Sequence, residues 1–130
     1  IIATVNKLLA ALPKSVPSPK KTETANENIQ KAISYIEQNY FRELQQKEVA
    51  GLLYIHPQYL SRLFKKELGV TFGEYLNRFR IEKAKELLLQ TNMPIYVVAT
   101  ECGFTDAAYF CKKFHQIMAT TPLRYRKNAL

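Results

Sequence analysis

Apolar residues recur at helical spacing through most of the chain. Within residues 55–69, Leu60, Leu63, Phe64 and Leu68 follow the spacing i, i+3, i+4 and i+8, which places them on one buried face of a helix. Polar residues occupy the opposite face. Because any surface helix of a globular protein has this pattern, the polar face does not by itself indicate a function.

Similar stripes predict six further helices. Residues suited to helix ends bound several of them: Pro57 in a first turn, Gly69 at a left-handed end, and Thr71 with Glu74 as a capping pair. Because the chain has only four glycines and few alternating β-branched runs, we predict an all-α fold. The further helices are predicted over residues 26–40, 46–53, 71–90, 106–118 and 121–126, with a short one beginning at 94.

The second half of this helical region repeats the first half. An internal repeat of this kind indicates a duplicated structural unit. The matching residues are Val49, Ala50 and Leu53 with Val98, Ala99 and Cys102 at an offset of 49, and Tyr59, Leu60, Arg62, Phe64, Thr71 and Tyr75 with Tyr109, Phe110, Lys112, Phe114, Thr121 and Tyr125 at an offset of 50.

Each copy combines a short helix that contains a small alanine, a tight turn and a longer helix with polar outer residues. This is the helix-turn-helix pattern, predicted at about 46–68 and at about 94–118, with a linker helix at about 71–90 between them. Gly103 gives the second turn a positive φ at little cost. Tyr54 stands at the corresponding place in the first copy, so we expect that turn to be satisfied differently.

The charge distribution changes how these helices are interpreted. The chain has a net charge of +8 and a pI near 9.5. Residues 57–80 and 106–130 carry net charges of +3 and +4, whereas residues 26–56 and 81–105 each carry −1. Each longer helix therefore lies in one of two basic blocks, which indicates an acidic partner such as nucleic acid.

The outer faces of the two longer helices carry the chemistry for reading DNA. Amide, hydroxyl, guanidinium and ammonium groups bond base edges and phosphates in the major groove. The linker helix would rise about 30 Å, close to the ~34 Å between successive major grooves on one face of B-DNA. One chain would then reach two grooves of an asymmetric site. The outer residues are Gln58, Ser61, Arg62 and Lys65 in the first copy, and Ala107, Ala108, Cys111, Lys112 and His115 in the second.

Residues 26–127 closely resemble the DNA-binding domain of the AraC/XylS family of bacterial transcription regulators. The motifs that carry the resemblance are YLSRLFKKELG, TFGEYLNRFRIEKAKELL, VATECGFTDAAYFCKKFH and TPLRYR, in that order. The resemblance implies a seven-helix domain over residues 26–130 with two helix-turn-helix units. It also implies a cytoplasmic protein that binds promoter DNA, usually to activate transcription, without a cofactor. It leaves RNA polymerase and a homodimer through an upstream domain open as further partners.

Carried over by position, the resemblance also assigns roles to individual residues. The candidates for base readout are Gln58, Ser61, Arg62, Ala107, Ala108 and Lys112, and the candidates for phosphate contacts are Lys65 and Lys113. Arg124 and Arg126 are candidates for phosphate as well, with a cation at a helix C-terminus as the alternative. Because alanines make only apolar contacts, such as with thymine methyl groups, we expect less hydrogen-bonded specificity from the second unit.

Three residues depart from the family pattern. His56 stands where Ser is usual, which is expected to weaken the N-cap of the first recognition helix. His115 replaces a common Lys and removes a charge, and Ala119 replaces a common Gly and is expected to stiffen the last turn. In the linker helix, Arg80 and Glu82 are expected to form a structural ion pair.

Other functions are less well supported by the sequence. An enzyme would need a nucleophile with a base, a metal cluster or a phosphate-binding glycine loop, and the sequence contains none of these. Cys111 and His115 have a spacing that suits a metal, but too few further ligands are near. A helical protein-interaction module without DNA readout is the main alternative, although it does not explain two basic faces. RNA binding is disfavoured because the aromatic residues fall on buried faces.

The N-terminal residues and the cysteines complete the predictions. Residues 1–12 are predicted to form a stub helix from an upstream sensing or dimerisation domain, with a frayed end as the alternative. Residues 13–25 are predicted to be a linker rich in Pro and Lys. The two cysteines do not make a disulfide framework, and no apolar run approaches the ~18 residues of a membrane span.

Overall fold

In the computed structural model, residues 25–129 are described, and they form seven α-helices and no strand. The predicted all-α fold is therefore confirmed, and the predicted stub helix at 1–12 and most of the linker at 13–25 lie outside the described residues. The helices are α1 (Ala25–Asn39), α2 (Gln46–Leu52), α3 (Pro57–Leu68), α4 (Phe72–Gln90), α5 (Ile95–Glu101), α6 (Ala107–Met118) and α7 (Pro122–Asn128).

The helices divide into two compact units. Unit 1 contains residues 25–38 and Leu44–Gly73, and unit 2 contains Asn39–Glu43 and the residues from Glu74 onward. The first helix-turn-helix, α2 and α3, lies in unit 1, and the second, α5 and α6, lies in unit 2. The linker helix α4 begins in unit 1 and continues through unit 2.

Unit 1 buries one face of each of its helices. Helix α2 packs against α3, and the Gln46 side-chain amide donates to the Pro57 carbonyl oxygen at 2.6 Å, tying the starts of these helices together. The Phe64 and Phe72 rings meet edge to face with centroids 5.5 Å apart. The buried aliphatic residues are Ile29, Ala32, Ile33, Ile36, Leu44, Val49, Ala50, Leu60 and Leu63.

Unit 2 has one contiguous hydrophobic core. The rings of Phe104, Phe110 and Phe114 form its aromatic part, with neighbouring centroids 5.1 and 5.8 Å apart. Cys102 is fully buried, as predicted, and burial raises the pKa of its thiol to about 12. The other members of this core are Ile81, Ala84, Leu88, Val98 and Ala99.

The buried Arg80 guanidinium links α4 to the segment Asn39–Glu43 within unit 2. It donates from Nε to the Tyr40 carbonyl oxygen at 2.9 Å and from Nη2 to the Arg42 carbonyl oxygen at 2.8 Å. It also lies 5.7 Å from the centroid of the Phe104 ring, and burial lowers its pKa. The expected ion pair with Glu82 is wrong. Glu82 accepts from Lys85 at 3.3 Å, because residues three apart share a helix face whereas residues two apart do not.

The turns of the two helix-turn-helix units have the same backbone geometry. The N–H of Ile55 donates to the Ala50 carbonyl at 3.0 Å, and the N–H of Phe104 donates to the Ala99 carbonyl at 2.9 Å. Gly103 has a φ of 96°, as predicted, and Tyr54 has a φ of 58°. The expectation that the first turn is satisfied differently is therefore wrong.

The neighbours of the two turn residues explain why Tyr54 is tolerated. A Cβ at Gly103 would overlap the Tyr40 carbonyl oxygen and crowd Arg80 Nε, so only glycine fits there. The Tyr54 side chain is 94% exposed. The left-handed conformation of a non-glycine residue costs roughly 1–2 kcal/mol. Tyr54 can adopt it because no neighbouring group occupies the space of its side chain, so the conformational cost is the only one.

The two recognition helices also end alike. Gly69 and Ala119 follow α3 and α6 with φ of 77° and 61°, and their N–H groups donate to the carbonyls of Lys65 and His115. No neighbouring atom lies within 4 Å of a Cβ built at Gly69. At these equivalent positions, a difference in stability between a glycine and an alanine variant therefore reflects mainly the cost of the left-handed backbone conformation.

Exchanging these two residues is expected to change stability in opposite directions. Gly69→Ala should lower the free energy of unfolding by about 1 kcal/mol, and Ala119→Gly should raise it by a similar or slightly smaller amount. Urea denaturation followed by circular dichroism measures both. If the two substitutions shift the midpoint in the same direction, the left-handed caps do not explain the difference between the repeats.

Candidate nucleic-acid interface

Helix α3 presents its polar face through a well-defined first turn. His56 is the N-cap, and its Nδ1 accepts from the Gln58 N–H at 3.1 Å. The cap bond is thus formed, with an imidazole nitrogen in the place of the usual serine hydroxyl. The expected effect of this replacement on the strength of the cap stays a prediction. Leu60 and Phe64 bury the opposite face and fix the orientation of the helix. Gln58 and Arg62 are exposed as a consequence, and Ser61 is half-buried.

Helix α6 is held in the same way within unit 2. Asp106 is its N-cap, and Oδ1 accepts from the Ala108 N–H at 2.9 Å. Phe110 and Phe114 are fully buried, so the centre of the exposed face lies at Lys112. Ala107 is half-buried and packs against the core of unit 2, so only part of it is available to a partner.

The exposed faces of the two recognition helices match position by position. Besides Tyr59 on α3 and its counterpart Tyr109 on α6, four further positions on α3 are exposed, and the four positions of α6 at an offset of 50 are exposed as well. Each helix carries a cation at the second of these positions. The pairs are Gln58 with Ala108, Arg62 with Lys112, Lys65 with His115, and Lys66 with Gln116.

Two exposed residues of α6 were missed by the sequence reasoning. Gln116 lies one turn beyond Lys112, and Tyr109 is 43% exposed on the flank of the same face. By contrast, Cys111 packs against the core of unit 2. The signal was present in the sequence, because the angular positions of Phe110 and Phe114 on a helical wheel place Lys112, not Ala107, opposite the core.

The basic residues predicted to contact phosphate differ in how they are held. Lys65 and Arg124 are exposed, and the Lys65 ammonium lies 3.5 Å from the Gly69 carbonyl oxygen. The Lys113 ammonium lies 5.5 Å from the centroid of the Tyr109 ring, a cation–π geometry. The Arg126 guanidinium donates to the carbonyl oxygens of Leu88 at 2.9 Å and Thr91 at 3.2 Å, where it neutralises the end of α4.

Neither a metal cluster nor a membrane span is found in the described part of the chain. Among residues 25–129, no three His, Cys, Asp or Glu side chains come together in a way that would hold a metal ion. Burial raises the pKa of the Cys111 thiol, which makes it a poorer metal ligand than an exposed thiol. None of the described helices has the length and apolar character needed to cross a bilayer.

Comparison with known proteins identifies the family. A family model described as a helix-turn-helix domain matches residues 49–128. The C-terminal domain of the response regulator yesN from Fusobacterium nucleatum is 36% identical with a TM-score of 0.72, and the match covers 75% of this chain and 96% of that domain. A transcriptional regulator of Chromobacterium violaceum, described by its AraC-type DNA-binding domain, is 28% identical with a TM-score of 0.73, covering 77% of this chain and 89% of that one. The chain belongs to the AraC-type helix-turn-helix family.

The AraC-type domain is also similar in sequence to parts of longer bacterial regulatory proteins. The regulatory protein PocR of Salmonella typhimurium is 38% identical over 99 residues, which are 76% of this chain and 33% of PocR. The chain spans about a third of the length of PocR and of the Escherichia coli regulator YijO. The predicted seven-helix architecture with two helix-turn-helix units is confirmed by these matches and by the described helices.

The imidazole cap of α3 gives a test of the local structure. His56→Ala removes the acceptor of the Gln58 N–H and is expected to lower the free energy of unfolding by about 1 kcal/mol, whereas His56→Ser replaces one acceptor by another and should leave it nearly unchanged. Asp106→Ala and Asp106→Ser form the matched pair on α6. Chemical denaturation of the four variants checks the result, and an equal effect of Ala and Ser at position 56 would contradict a capping role.

Proposed function

We propose that this AraC-type domain binds double-stranded DNA sequence-specifically as part of a transcription regulator, with α3 and α6 entering the major groove. The observation that supports this proposal is the pair of matched exposed faces. The two faces occupy equivalent positions of a duplicated helix-turn-helix, each is amphipathic with a fully buried opposite side, and each has a cation near its centre. A protein-interaction module would not need a cation at both places.

In α3, Arg62 is the proposed main base reader. Its guanidinium is exposed beside Gln58, so both side chains reach one surface of the helix. An arginine makes a bidentate pair with guanine and a glutamine makes one with adenine, and each such pair discriminates by ~1–3 kcal/mol. Ser61 is half-buried at the edge of the same face, where its hydroxyl serves a base at the margin of the site.

In α6, the proposed readers are Ala108, Lys112 and Gln116. Ala108 offers a methyl group to thymine, and Gln116 adds the hydrogen-bonding capacity that the two alanines lack. Ala107 remains a proposed apolar contact at the border of the face. Lys112 reaches either a base or a phosphate.

Lys65, Lys113 and Arg124 are the proposed phosphate contacts. Phosphate contacts fix the register of a protein on duplex DNA without reading its sequence. The Arg126 guanidinium already donates to two carbonyl oxygens at the end of α4. We therefore propose a structural role for Arg126 and leave it out of the phosphate set.

The family supports a proposal for the role of the whole regulator. We propose that it acts at promoters in the bacterial cytoplasm, usually as an activator, because relatives include proteins named as transcription activators, such as the lactose operon activator of Staphylococcus xylosus. Contact with RNA polymerase and dimerisation through another domain are further predictions.

Substitutions at Arg62 test base readout by α3. Arg62→Ala should weaken binding to a selected duplex by ~1–3 kcal/mol and remove the preference at one base pair. Arg62→Lys keeps the charge but loses the bidentate geometry, so it should lose the base preference while the salt dependence stays close to that of the wild type. In-vitro selection with each variant, combined with fluorescence anisotropy at several salt concentrations, measures both quantities.

Lys112→Ala is the matched substitution on α6. If Lys112 contacts phosphate, affinity falls on all sequences and the salt slope decreases by ~1, whereas a base contact changes the selected sequence instead. An unchanged preference for Arg62→Ala would contradict the proposed reader. Absence of any binding to duplex DNA would leave the protein-interaction module as the better description.

A further inference from the structure

A groove in unit 2 lies between the linker helix and the second recognition helix. Its walls are one turn of α4 and one turn of α6, and its volume is about 190 Å³. The residues on each side have the spacing i, i+3 and i+4, so each wall is a single helical ridge. The lining residues are Glu74, Asn77 and Arg78 from α4, and Lys113, Gln116 and Ile117 from α6.

The groove is lined by several hydrogen-bond donors and has a net positive charge. Arg78 and Lys113 supply a guanidinium and an ammonium, and Asn77 and Gln116 supply two amides. Within residues 25–129, neither Arg78 nor Lys113 forms a salt bridge with a carboxylate. The carboxylate on the wall, Glu74, has an interaction of its own. With Glu74 counted, the groove has a net charge of +1, and an anion in it would meet two cations that are not held in salt bridges.

The walls are held in place by contacts beside the groove. The Asn77 side-chain amide lies 3.4 Å from the Tyr109 hydroxyl oxygen, and the Lys113 ammonium lies 5.5 Å from the centroid of the same ring. Tyr109 thus links one residue from each wall. Because both contacts lie within unit 2, the groove is a local feature of the second helix-turn-helix and its linker helix.

Arg78 was counted with the first basic block of the sequence, but the fold assigns it to the second unit. It follows α3 by only ten residues, yet it faces Lys113 of α6 across the groove. The basic charge near the second recognition helix is therefore larger than the sequence blocks indicate. This redistribution changes the role expected of the linker helix, which the sequence had presented as a spacer.

We infer that this groove binds a phosphodiester of the DNA strand that borders the α6 site, which makes α4 a DNA-contacting element. The inference rests on the proposed function, since a helix in the major groove is flanked by both backbone strands. Arg78 and Lys113 neutralise the phosphate from opposite walls, and the Asn77 amide donates to one of its oxygens. Lys113 and Gln116 lie on the flank of α6 that faces α4, next to the proposed base reader Lys112.

A second cavity of the domain has a different character. It lies in unit 1, has a volume of about 420 Å³ and is lined mainly by apolar and aromatic side chains, including Leu52, Tyr54 and Tyr59. Its lining includes one cation, Lys31. Charge therefore favours the smaller groove in unit 2 as the phosphate site.

The test uses the 130-residue chain and a 30-base-pair duplex in fluorescence anisotropy between 50 and 300 mM KCl. Arg78→Ala should weaken binding three- to tenfold on every sequence and decrease the log–log salt slope by ~0.9, the value for one phosphate contact. Arg78→Lys should restore most of the affinity, because the charge remains. The double variant Arg78→Ala with Lys113→Ala should lose less than the two single effects together, since both residues hold the same phosphate.

Two further variants sharpen the test. Glu74→Gln removes the opposing charge and keeps a side chain that suits a helix N-terminus, so it should strengthen binding about two- to threefold at low salt. Lys85→Ala is the control, because Lys85 lies on α4 and is already paired with Glu82 at 3.3 Å. It should change affinity less than twofold. Circular dichroism of each variant confirms that the fold is retained.

The outcomes separate this inference from the proposed function. If the wild-type chain binds no duplex DNA, the proposed function fails. If the wild-type chain binds but Arg78→Ala behaves like Lys85→Ala, only the groove inference is overturned. It is also overturned if Arg78→Ala leaves DNA affinity unchanged and abolishes binding of an acidic peptide, such as polyglutamate, because the groove would then be a protein-docking site.

Discussion

In each helix-turn-helix unit, one backbone N–H closes the turn onto the carbonyl oxygen of a buried alanine. Ile55 donates to Ala50 and Phe104 donates to Ala99, at 3.0 and 2.9 Å. The residue before each donor must be left-handed for this bond to form, and both Tyr54 and Gly103 are. The bond directs the chain into the recognition helix, whose buried aromatic residues then fix which side chains face outward. The candidate interface depends on this turn, because a change in the turn would alter the direction of α3 or α6 and so change which of its side chains are exposed.

Much of the fold follows from local sequence signals. The spacing of apolar residues places the seven helices, and Pro57 and Gly69 mark helix ends because few residue types suit those positions. The left-handed backbone conformations of two non-glycine residues could not be predicted from these signals. Tyr54 and Ala119 occupy left-handed positions that residue preferences assign to glycine, and they are tolerated because the surrounding contacts of the unit fix the backbone there.

Long-range contacts set the other limits of sequence reasoning. Arg80 was expected to pair with a nearby carboxylate, but it donates to carbonyls almost forty residues away in the chain. Arg126 likewise reaches the end of α4. An arginine with several fixed donors satisfies buried carbonyls of a distant segment, and helical periodicity carries no information about such partners. In the candidate site, the outward positions of Gln58, Arg62 and Lys112 were predicted from the sequence, whereas the exposure of Gln116 and the position of Arg78 required the packed structure.

Both units are proposed to use their exposed faces on the same DNA. Ethylation interference on a selected duplex tests it most directly, because it identifies every phosphate whose modification prevents binding. If both units bind, two clusters of interfering phosphates are expected, centred about one helical turn (~10 base pairs) apart, with a single chain bound. A single cluster, or binding without any localised interference, would contradict it.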